Sequence, residues 1–171
     1  MPTELLVTLD ASPTGIPDGT LRTFAGDLYN FISNVQNELK IKVRNVGRET
    51  FAGGRVSRLV YTQGTSGLSI SSGYATRDTQ EHLVPSLRPG EEKLVVTWGI
   101  APYLEGILAV EFGVQPVSGE VSLKRFEGDA PKNPVTFILS VGRYTDIVNS
   151  FYLDAIKKDL DALLELTPRR K

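Results

Sequence analysis

The sequence predicts an α+β domain: a largely antiparallel sheet of about seven to eight strands with one amphipathic helix near each end. Three observations carry that expectation. Apolar residues recur at three- and four-residue spacings in two stretches only, one toward each end of the chain. Between them lie short runs of β-forming residues with alternating polarity. Sixteen glycines and ten prolines punctuate the 171 residues, which suits many turns and short strands better than a helical bundle.

Residues 4 to 10, ELLVTLD, read as the first strand and run into the loop SPTGIPDGT. From there Leu21, Phe24, Ala25, Leu28, Ile32, Val35 and Leu39 form a one-sided apolar stripe that predicts a helix, with Thr20 as its N-terminal cap. Residues 40 to 46, KIKVRNV, follow as a strand with Ile41 and Val43 on one face and Lys40, Lys42 and Arg44 on the other. Residues 55 to 62 and 67 to 72 flank QGTS and read as a hairpin. The polar stretch YATRDTQEHLVPSLRPGEE reads as a long connection with at most one helical turn.

Four further strands are expected at residues 93 to 98, 106 to 112, 120 to 126 and 135 to 141. In the last of them Val135, Phe137, Leu139 and Val141 share one face and Thr136, Ile138 and Ser140 the other, so at least one face is expected to be buried. Val148, Tyr152, Ala155 or Ile156, Leu160, and Leu163 or Leu164 mark the second amphipathic helix, with Asp154 and Lys158 spaced for an ion pair. There is no internal repeat and no sustained heptad run. The expected organisation is a single domain spanning residues 1 to 171.

An alternative fold rests on residues 42 to 126. VRNVG, LRPGEEKLVVTW and EGILAVEF resemble the immunoglobulin-like sandwich modules of prokaryotic surface proteins. The resemblance covers half the chain, and it implies an immunoglobulin-like β-sandwich with the two helices added to it.

Composition narrows the chemistry. A chain of this length buries roughly 70% of the surface its unfolded form exposes, enough for one real core. With no Cys and a single His, there is no disulfide, no thiolate nucleophile and no conventional zinc site. The short apolar run at residues 5 to 9 has no basic flank and no stretch reaches the length of a membrane span, so a cytoplasmic protein is expected.

A nucleophile would have only His82 as its histidine base, and Ser66 and Ser72 lie outside any G-x-S-x-G context. Asp154, Asp159 and Asp161 are interleaved with Lys157 and Lys158, the pattern of a solvated helix face rather than a cation loop. Gly53-Gly54-Arg55 is the nearest approach to a phosphate loop, and a glycine pair between strands is more often a turn or bulge. No catalytic residue, cofactor or metal is therefore assigned.

The remaining signal is charge. The chain's net charge is −1, yet between residues 40 and 58 six basic residues stand against Glu49 alone. If the strands at 40 to 46 and 55 to 62 are neighbours, Lys40, Lys42, Arg44, Arg55 and Arg58 form one basic face. The expectation is a non-catalytic interaction or regulatory module that binds another macromolecule, foremost a protein, through that face. A small ligand-binding domain or enzyme with an anionic substrate near Arg55 and Arg58 is the alternative. Nucleic-acid binding is a third option, for which Tyr61 alone is placed to stack on bases.

Overall fold

A computed structural model describes residues 2–63, 74–77 and 80–166, with backbone only for 74–77. The elements are β1 (Thr3–Ser12), α1 (Gly19–Leu28), β2 (Phe31–Ile32), β3 (Asn37–Asn45), β4 (Gly54–Gln63), β5 (Tyr74–Arg77), β6 (Leu83–Val84), β7 (Glu92–Ile100), β8 (Gly106–Pro116), β9 (Val121–Lys124), β10 (Val135–Gly142) and α2 (Tyr144–Leu166).

The strands form two sheets rather than one. The first has the order β7-β3-β1-β9; the second runs β2-β10-β8-β4-β5, with β6 also paired to β4. Most pairings are antiparallel, while β1–β9 and β10–β2 are parallel. The sheets stack face to face, as in the alternative expectation of a sandwich with added helices. Leu5, Val7, Leu39, Ile41 and Val43 of the first sheet pack into one core with Leu108, Val110, Phe112 and Leu59 of the second. Tyr61 and Trp98 meet across the gap with ring centroids 5.3 Å apart.

Burial explains this choice. Each sheet has one apolar face, and a ten-residue helix cannot cover the face of an eight-stranded sheet. Stacking buries both faces at once. Asn45, fully buried at the end of β3, fixes the crossing from one sheet to the other. Its amide donates to the carbonyls of Glu49 (2.8 Å) and Leu87 (2.9 Å) and accepts from the Gly47 N–H (2.9 Å).

The first helix is shorter than its stripe predicts. It ends at Leu28, and Asp18 rather than Thr20 caps it, accepting from the Thr20 and Leu21 amides at 2.9 and 3.2 Å. Beyond it, Asn30 accepts from the Ser140 N–H (2.9 Å), and Phe31–Ile32 pair in parallel with Val141 and Gly142. Asn34 then takes a left-handed φ of 58°, which a continuing helix does not allow. Leu39 belongs to the alternation Leu39, Ile41, Val43 of β3. Its place in the three-four spacing is coincidental, because both periods pass through it.

The polar stretch read as a connection holds β5, β6 and an isolated bridge between Phe51 and Leu87, and no helical turn among its described residues. The expected strand at residues 67 to 72 lies outside the described residues; β5 pairs antiparallel with the end of β4.

Neither helix lies over a sheet. They meet at one end of the sandwich, where Ile16, Leu21, Ala25, Ile32 and Ile147 form a second, smaller core. Phe24 and Phe151 close it edge to face at 5.5 Å. Gly142 is required there, because a Cβ would overlap the Tyr29 ring.

Candidate functional site

The five basic residues do not share a face. Lys40, Lys42 and Arg44 project in a row from the open face of β3, as the alternation predicts. Arg55 and Arg58 stand on β4, which belongs to the other sheet. The condition for a single five-residue patch, that these two strands be neighbours, is not met.

Acids also interrupt the β3 row. Asp10 of β1 lies opposite Lys40, Glu92 of β7 lies opposite Arg44, and Glu38 binds the Lys40 ammonium at 3.2 Å. On the same face Lys124 of β9 pairs with Glu4 at 3.0 Å. The face is a mixed-charge surface with a short basic row along its middle.

On β4, the Arg55 guanidinium donates twice to Gln115 Oε1, at 2.9 and 2.7 Å, and Arg58 is paired with Glu111. An anion there would have to displace both contacts. Gly53 takes a left-handed φ of 99°, and Gly54 lies so close to the Gln115 carbonyl that a Cβ would overlap it. The glycine pair thus serves entry into the strand. Tyr61 is 7% exposed and faces the core, so it offers no stacking surface.

Of the catalytic candidates only His82 lies among the described residues. Ser66 and Ser72 lie outside the described residues, and half-buried His82 binds the Val56 N–H through its backbone carbonyl at 2.9 Å. Asp154 pairs with Lys158 at 3.0 Å on α2, as its spacing predicts. Among the described residues no group of three or more His, Asp or Glu is placed to hold a metal ion. No described helix is long and apolar enough to cross a membrane.

One open cavity of about 480 Å³ lies at the helical end, between Asn34, Tyr103, Glu105, Arg143 and Tyr144. A bidentate pair spans it, with Arg143 donating to Glu105 at 2.8 and 2.6 Å. Buried Gln63 fixes its wall by donating to the Leu104 carbonyl (2.6 Å) and accepting from the Tyr103 N–H (3.1 Å). These contacts brace the loops that line the cavity.

Among the described residues, α2 carries a run of exposed large apolar side chains. Only Ile147 of this helix is fully buried, and every residue from Tyr152 to Leu166 is exposed. Fifteen residues of helix therefore extend beyond the sandwich, roughly 22 Å. Along them Leu153, Ile156, Leu160, Leu163 and Leu164 stand 54–71% exposed. The periodicity shows that the helix has an apolar face. It does not show whether that face is covered.

No family model matches the chain, and neither does any curated protein. Among solved structures, the chain is similar to a crystal structure of the CARDB domain of the PF1109 protein from Pyrococcus furiosus in complex with di-metal ions. The two are 22% identical, over 81% of this chain and 88% of that one, with a TM-score of 0.42. A solution NMR structure of the same CARDB domain gives 24% identity, 83% and 98% coverage, and a TM-score of 0.43.

Proposed function

We propose that this chain is a non-catalytic interaction module in which a β-sandwich holds out α2 as its contact element. The observation that carries this reading is the run of five large aliphatic side chains left in water on one helix. Burying each such side chain is worth about 1.5–3 kcal/mol, so a partner covering the stripe gains strongly from it. The rest of the molecule supports the role of a scaffold, with a continuous core between the sheets and a second core that clamps the base of the helix.

The basic row Lys40, Lys42 and Arg44 is a second contact candidate, favoured by its open position on β3. The engaged state of Arg55 and Arg58 speaks against an anionic substrate at β4, and the buried Tyr61 against a nucleic-acid platform. Affinity capture from a lysate of the source cells separates the two surfaces. Capture through α2 is abolished in an Ile156→Glu/Leu160→Glu variant and survives added salt, whereas capture through the row falls steeply with salt. Identical capture by the variant and the wild type would sink the α2 reading.

A further inference from the structure

We infer that the occupant of the α2 stripe is a second copy of this chain, joined as a short parallel two-helix coil; this rests on the α2 reading above. Leu153, Ile156, Leu160 and Leu163 follow one another at spacings of three, four and three, the seam of two heptads. A helix with such a seam is best covered by another with the same seam, and α2 is the described helix that carries one. Fifteen exposed helical residues are marginal in water, so covering the seam also stabilises the helix itself.

Charge selects the orientation. Aligning the four seam residues antiparallel sets Lys157 against Lys157 and Asp159 against Asp159 on the flanks. The parallel, in-register pair avoids both repulsions. It places Tyr152 of one copy beside Lys157 of the other, and Asp159 beside Leu164.

Area sets the strength. Burial of the five stripe side chains removes roughly 100 Å² each, so two copies withdraw roughly 1,000 Å². That is the lower edge of what a specific interface needs, and it implies a weak, concentration-dependent dimer.

The test is sedimentation of the full chain across roughly 1 µM to 1 mM. The wild type approaches twice the monomer mass at the upper end, and Leu160→Glu weakens association by more than about 100-fold, since both copies lose a seam residue. Asp161→Ser, on the polar face, associates like the wild type. Because the chain has no cysteine, single-cysteine variants read the orientation directly. Leu160→Cys cross-links to itself, while a mixture of Leu153→Cys and Leu163→Cys gives only like-with-like products; a 153-to-163 cross-link would overturn the parallel arrangement.

A wild type that stays monomeric throughout overturns the second-copy inference. If that monomer still loses lysate capture on Leu160→Glu, the α2 reading stands and only the inference falls. Co-sedimentation of the monomer with phosphatidylcholine/phosphatidylglycerol vesicles would assign the stripe to a lipid surface and overturn it as well. Unchanged association and unchanged capture in Leu160→Glu remove both.

Discussion

Phe112 and Phe137 stand on paired neighbouring strands, and their different burial decides what each contributes. Phe112 is fully buried, whereas Phe137 is only partly buried against the same core. Phe112→Ala is expected to cost about 3–5 kcal/mol in a denaturant titration. Phe137→Ala costs less, because part of its ring is already in water. Arg125 and Asp129 act at the same scale, in the loop between β9 and β10. Arg125 donates to both Asp129 carboxylate oxygens, at 2.8 and 3.1 Å, and to the Thr136 carbonyl at 3.0 Å. The hydrogen bonds from the Arg125 side chain, then its backbone N–H, hold the Asp129 carboxyl far below its ordinary range. A lowered carboxyl pKa stabilises the fold at neutral pH, and that contribution fades as pH falls below about 4, where the unfolded chain takes up the proton first. The stability difference between wild type and Asp129→Asn, measured by urea unfolding, should therefore shrink from pH 7 to pH 3.

The strands were legible because their alternation is local: β1, β3, β7, β8 and β10 lie where the pattern placed them, within a few residues. The first helix was not, because Ile32, Val35 and Leu39 satisfy a helical period and a tertiary arrangement at once, and the Asn30–Ser140 contact decides between them from 110 residues away. For α2, length and stripe were visible, but cover was not, since periodicity states which residues share a face and nothing about what lies against it. Because the helix leaves the fold after Phe151, Leu160→Glu is expected to leave the thermal midpoint of the sandwich unchanged when melted at concentrations where the chain is monomeric. If the stripe pairs between copies, far-UV circular dichroism should show helix content rising with protein concentration in the wild type and staying flat in the variant.

At the scale of the whole molecule, strand partnership was the illegible part. Lys40, Lys42 and Arg44 share a face because they alternate, but no pattern within β3 or β4 says that β3 joins β1 and β7 while β4 joins β8. That assignment depends on contacts such as those of buried Asn45, and of buried Asn37, whose amide binds the Ile32 N–H at 3.0 Å and the Ile32 and Val35 carbonyls at 2.9 Å each. Asn45→Ala removes three hydrogen bonds from a closed site and should cost roughly 2–4 kcal/mol, read from the denaturation midpoint at constant m-value. A near-neutral result would mean that the crossing between sheets is set elsewhere.

The junction between β10 and α2 has a mechanical side. Gly142 ends the strand, Tyr144 begins the helix, and the one residue between them, Arg143, is braced on Glu105. No slack chain separates the projecting rod from the sheet. A pull on the tip of α2 is not absorbed by an uncoiling tether but is delivered to the ladders that β10 forms with β8 and β2. The helix is thus set like a mast stepped into a hull, and its direction follows the attitude of the sandwich beneath it.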